Sequence, residues 1–309
     1  MRGCGASSTP RSALEKSFCH LFYSGRVSGY NPGNKGSHMG MKMQNSTEMG
    51  VRRFGRMNWL GVYTLSMREI QRFMAIWNQT IAAPLVTAAL FLSVFALAIG
   101  PARGEVMGVP FVQFLAPGIL MMTVIQNAFA NSSSSIIGAK VMGSIVDTLM
   151  PPLSPLELVI GYTIGGMARG LMVALAIGVA VMVFLGMGVA HPVWALTFVL
   201  LGSALLAGLG IFAGILAQKF DQMAAITNFI ITPLSFLSGT FYSVETLPAA
   251  MRVITHLDPV FYLIDGVRYG IIGQSDSSPW LGLIVCSVVT LAVLTLDWYW
   301  FRIGYRMKA

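Results

Sequence analysis

Three stretches of this chain run without a charged side chain for longer than a soluble fold has use for. They are Gln79–Gly100, Val106–Ala139 with 34 residues, and Gly170–Gln218 with 49 residues. About 20 apolar residues cross a bilayer's hydrocarbon core, and a charge at the centre of such a helix costs about 2.5–3.5 kcal/mol. Charges therefore mark the ends of spans. The 49-residue run is too long for one span, and His191-Pro192 breaks it into two. Met223–Val244 and the run from Pro279 to Trp298 add two more. The expectation is an all-α integral membrane protein with six transmembrane helices, at about 79–100, 114–138, 161–187, 192–216, 223–241 and 279–298. Composition agrees: 10% of residues are charged, against about 25% in soluble domains.

The formal charge of +8 does not mark a nucleic-acid binder. Residues 1–56 hold nine Lys/Arg and two acids, whereas residues 57–309 hold eleven and ten. Basicity belongs to the tail, and no basic patch with interleaved aromatics remains to bind nucleic acid. Residues 1–56 are rich in Gly, Ser, Arg and Asn without periodicity and read as a disordered tail. Met39, Met41, Met43, Met49 and Met57 offer alternative starts, so the tail reads as an over-extended start rather than a targeting segment. Cys4, Cys19 and Cys286 make no metal-binding spacing.

From Met57 to Trp77 the pattern is amphipathic. Leu60, Tyr63, Met67, Ile70, Met74 and Trp77 recur at three- and four-residue steps, with Arg68 and Arg72 on another face. This predicts an interface helix whose apolar face sinks into the membrane surface while the arginines meet anionic headgroups. With the amino terminus inside, one side collects Arg68, Arg72, Lys140, Lys219, Arg302, Arg306 and Lys308, and the other Arg103, Arg252 and Arg268. That asymmetry predicts cytoplasmic termini.

Inside the spans, Asn127, Asn131 and Ser135 share one face of the second span. Amides facing lipid would go unsatisfied, so this face either bonds other helices or lines a substrate path; Asn228 in the fifth span has the same two readings. Arg169 and Asp297 are read near the inner ends of their spans, where water is in reach. Between Lys140 and Gly161, residues Ile145, Val146, Asp147, Thr148 and Leu149 form a short amphipathic helix ended by Pro151 and Pro152. It reads as a force-transmitting element or as a plain proline-rich connection. After the fifth span, Pro248 and Asp258-Pro259 start two short helices, and Asp265 and Arg268 sit at pairing distance on the second.

No phosphate-binding loop, HExxH or GxSxG occurs, so the chain carries no ATPase motif of its own. Mid-membrane carboxylates of the kind that couple ion gradients are missing too. Energy for active transport would have to come from a partner.

From about Trp59 to Arg306 the chain resembles the permease subunit of ABC-2 type exporters. The resemblance is carried by Pro233-Leu-Ser-Phe-Leu-Ser-Gly239, Phe241-Tyr-Ser, Leu247-Pro248, Asp258-Pro259 and Gly266-Val-Arg268-Tyr-Gly270, with Gly118, the polar run 127–135 and Asp147-Thr-Leu149 before Pro-Leu-Ser-Pro155. It implies an ABC-2 transmembrane domain over 57–309 in the bacterial inner membrane. It also implies a homodimer of permeases in contact with membrane lipid, and two copies of a separate ATPase subunit that bind ATP and Mg, this chain binding no cofactor. An interface helix, a coupling helix around Ile145–Leu149 and two outer re-entrant helices are implied as well. The competing readings are a membrane scaffold or assembly factor without a transport cycle, and a secondary transporter.

Overall fold

The computed structural model describes residues 57–100, 104–106, 108–244 and 248–306, without the side chains of Leu149, Ala249, Ala250 and Ile254. The tail at 1–56, Arg103, Leu247 and Lys308 lie outside these residues. The elements are α1 (Trp59–Met74) and α2 (Asn78–Ala98, its first five residues π-helical); a short hairpin of β1 (Glu105–Val106) and β2 (Val109–Pro110); α3 (Phe111–Val141), α4 (Ile145–Leu149), α5 (Pro155–Leu185) and α6 (Pro192–Leu216); then α7 (220–237), α8 (Ala249–Leu257), α9 (Pro259–Ile272) and α10 (Pro279–Ile303).

Among the described residues five helices, α2, α3, α5, α6 and α10, are long and apolar enough to cross a membrane. The fifth expected span, 223–241, is not one of them. The α7 run ends at Leu237, and a π turn at Thr227–Ile231 interrupts it. Asp221, Gln222 and Asn228 dilute its apolar content. Two other boundaries move. The second span is a 31-residue helix that tolerates Pro117 in its interior, as membrane helices can when neighbours satisfy the freed backbone. The third starts at Pro155, six residues before the expected 161, because Ser154 and Glu157 form a capping box around it. Ser154→Ala removes half of that box. It should lower stability by about 1 kcal/mol, read as a shift in the denaturant midpoint of the detergent-solubilised chain.

Helices α3 and α6 form the centre. Most of their apolar stretches are buried, 78% and 72%, against 6% for α2 and 17% for α10, whose remaining surface is apolar and suits lipid. The central pair approaches closely because glycines face it. A Cβ at Gly210 would meet the Phe129 carbonyl oxygen at 2.5 Å, and one at Gly202 would meet the Met121 methyl. In a bilayer, where no hydrophobic force draws helices together, such close contact supplies the attraction.

The face of α1 that packs on the bundle lies opposite the apolar face that its periodicity assigns to the membrane surface. Val62, Leu65, Glu69 and Phe73 are buried against the bundle, while Leu60, Tyr63, Met74 and Trp77 stay exposed. Its two arginines, both partly exposed, converge on Glu69.

Candidate functional site

Two polar clusters stand at opposite ends of the bundle. At the α4 end the carboxylate of Glu69 is completely buried. It is held by Arg72 Nη2 at 3.0 Å and Nε at 3.2 Å, by Arg68 Nη2 at 3.1 Å, and by the Ser135 hydroxyl, which donates at 2.8 Å. Arg72 also donates to the Asn131 carbonyl at 2.7 Å, to Asn131 Oδ1 at 3.1 Å and to Ser134 Oγ at 3.2 Å. Arg68 Nη1 donates to Thr148 Oγ1 of α4 at 3.1 Å, and its Nη2 to the Tyr162 hydroxyl at 3.4 Å. Burial opposes the charge on Arg68, but Tyr162 and Glu69 outweigh it and hold the guanidinium above its ordinary pKa. One charged network thus joins α1, α3, α4 and α5.

Of the expected coupling residues, Ile145 is buried in the apolar cluster beside this network, Thr148 is buried on Arg68, and Asp147 is exposed. The side chain of Leu149 lies outside the described residues. Glu157 adds a second tie, accepting from the Asn58 amide at 2.6 Å, so the start of α1 is fixed to the start of α5.

The α3 polar face is split by its neighbours. Asn131 and Ser135 are buried on α1. Asn127, half-buried, donates to the Thr123 carbonyl and accepts from Arg169 Nη2 at 3.0 Å. Asn228 sits exposed in the π turn of α7 and does not join them. Asp297 departs from its sequence reading: instead of reaching water it is fully buried, with no hydrogen-bond partner on either oxygen among the described residues. The reason is that α10 continues to Ile303 and packs this turn against Gly208 of α6.

At the opposite end Asp258 caps α9 through the Val260 amide at 2.9 Å and accepts from Ser238 after α7. Burial pushes its carboxyl above the usual range. Pro248 is exposed and precedes the first turn of α8 rather than lying in it, while Pro259 opens α9 as expected. Arg268, fully buried, stands 3.7 Å from Asp265 and 3.8 Å from Asp276, donates to the Gly239 carbonyl at 2.8 Å and lies over the Phe114 ring. Asp265 accepts from the Asp276 and Ser277 amides at 2.8 and 2.9 Å. Burial raises its carboxyl, and these amides and Arg268 pull the other way. The expected Asp265–Arg268 pair is therefore one edge of a lock that also fixes the loops after α7 and α9.

Sequence reading missed Glu69, Glu157 and Asp276. Two signals were there: Glu69 lies three residues before Arg72, and Ser154–Glu157 spells a capping box. Asp276, eight residues past Arg268 in a loop, gave none.

The ABC-2 type transporter family model matches residues 61–272. The chain is 36% identical over 251 residues to the inner membrane transport permease YadH of Escherichia coli K12, covering 81% of this chain and 98% of that protein. It is 24% identical over 250 residues to nodulation protein J of Rhizobium leguminosarum bv. viciae, covering 78% and 92%. Matching both over most of their length, and built on the helices described above, the chain belongs to the ABC-2 type transporter membrane family and is the membrane permease subunit of an ABC transporter.

Proposed function

We propose that the chain is half of a homodimeric exporter driven by two copies of a separate ATPase subunit, which carries the ATP and Mg. The carrying observation is the Thr148–Arg68–Glu69–Arg72–Asn131/Ser135 chain of hydrogen bonds. A push on α4 has a rigid polar route into α3, α5 and α1, with Ile145 as its apolar anchor and Asp147 free to meet the partner. In this reading α7 is the fifth of six spans and α8 and α9 are re-entrant helices on the outer side. The α4 end and both termini are then cytoplasmic, in keeping with Lys140, Lys219, Arg302 and Arg306 gathered there. Movement of α1 and α4 together would open a path between the two permeases.

Purification over a tag on this chain with the ATPase subunit co-expressed should bring down nucleotide hydrolysis. A complex that never forms would remove the proposal. Within the complex, Thr148→Val should leave assembly intact and cut the permease's effect on ATPase rate several-fold, because the hydrogen bond that joins α4 to Arg68 is gone. Asp147→Ala should weaken the partner's association instead. Equal ATPase rates for wild type and Thr148→Val would rule out this route.

A further inference from the structure

One side of α2 is short of side chain. Leu85, Ala88, Ala89, Leu92, Ser93 and Ala96 recur at three- and four-residue steps and share that side. They border a crevice of about 520 Å³ between α2, α3 and α5, closed across from them by Ile177, Ala180, Val181 and Phe184 of α5 and by Val112 in the first turn of α3. Folded proteins leave few internal spaces larger than a water molecule, so a crevice of this size is a feature of the surface that needs an occupant.

Its shape follows the helices. The lining runs from Leu85 to Ala96, about 16 Å along α2, and from Ile177 to Leu185, about 12 Å along α5. The crevice is therefore a slot lying lengthwise between two spans, in the direction that acyl chains take in a bilayer. It stands at the end of the bundle away from α4, where α2 and α5 finish and α3 begins. The lining is apolar apart from Ser93 and holds no charged side chain; an apolar cavity stays dry. Val86 and Phe184 border the slot and are exposed, which makes it continuous with the apolar surface of α2 that faces lipid.

From this shape, lining and continuity we infer that the crevice is a site for one acyl chain of a bilayer lipid, drawn from the leaflet at the end away from α4. Water is excluded by the apolar lining, and with no charge in the slot it is the chain, not the headgroup, that is recognised. The bound chain supplies packing that α2 lacks and joins it to α5.

The probe is a phosphatidylcholine with a diazirine midway along one acyl chain. It is added to the full chain in an uncharged maltoside detergent, photolysed, and its attachment points are mapped by mass spectrometry. At a low lipid-to-detergent ratio Ser93, Ala180 and Phe184 should take label several-fold above Val288 and Leu291, which are exposed apolar residues of α10. The crevice label should level off as the ratio rises, while label on α10 keeps climbing. Methyl palmitate, a chain without the headgroup, should displace the crevice label; glycerophosphocholine, the headgroup without chains, should not. Ala180→Phe, which fills the slot, should cut label on Ser93 and Phe184 several-fold and leave α10 unchanged. Label spread evenly over α2, α5 and α10, crevice label that survives Ala180→Phe, or displacement by glycerophosphocholine would each overturn the inference. Label present in the monomer and lost in the gel-filtration dimer would overturn it too, by giving the crevice to a second copy of the chain. Should Ala180→Phe fail to elute as a single species, saturation and displacement by methyl palmitate in wild type decide. None of these outcomes bears on co-purification with the ATPase, so the two readings fail separately.

Discussion

Glu69→Ala should be the most damaging single charge substitution at the α4 end. The carboxylate is buried and accepts hydrogen bonds from Arg68, Arg72 and Ser135. Its removal leaves two guanidinium groups facing each other with no counter-ion. Deleting one member of a buried ion pair typically costs about 3–5 kcal/mol. The low end applies here, because Arg68 and Arg72 are partly exposed and water or lipid headgroups can compensate them in part. The expected result is a large drop in the denaturant midpoint of the solubilised chain, together with loss of ATPase stimulation in the complex. Glu69→Gln, which can still accept from Ser135, should fall between. If the cluster acts as a unit, adding Arg72→Met to Glu69→Ala should recover stability, since it removes an orphaned charge. A double variant that shows the plain sum of two losses would mean the three side chains are independent.

Gly210→Val should prevent the two central helices from closing. A Cβ at this position meets the backbone oxygen of Phe129 at 2.5 Å and Ser132 Cβ at 3.2 Å. The obstructing atom is backbone, so no rotamer change relieves it and α3 must move away from α6 as a body. Overpacking costs about 1–3 kcal/mol where side chains can give way; here the upper figure or more is expected. Loss of monodisperse material on gel filtration is the measurement. Gly138→Ala is the matched control. It lies on α3 with nothing within 4 Å of its Cβ, so it should be neutral or stabilising, by up to about 1 kcal/mol. If both glycines tolerate substitution equally, close approach of α3 and α6 is not what holds the centre.

Much of the architecture was written locally. Insertion of a span depends on the residues of that span alone, because each must leave water for hydrocarbon on its own account. For that reason the charge-free runs marked the five long helices, and His191-Pro192 the break between α5 and α6. The Asp258 cap and the Asp265–Arg268 pair were legible for the same reason, since their partners lie within one turn. The α7 run is the instructive exception: by charge alone it matched the others, and its polar residues and π turn set it apart only when the helix itself was seen.

What the sequence by itself determined is thus the membrane class, the helix-rich order of elements, the family to which they belong and the caps built from near neighbours. Only the tertiary structure decided which face of α1 meets protein, that Arg68 and Arg72 converge on Glu69, that Asp276 completes the Arg268 lock, that Asp297 is buried, and that Arg169 has no acid paired with it among the described residues. The physical reason is range. Hydropathy and capping are sums over a few consecutive residues. A hydrogen bond such as the one that Ser135 donates to Glu69, 66 residues away, exists only after helices have chosen their neighbours, and that choice is made by packing at glycines such as Gly210.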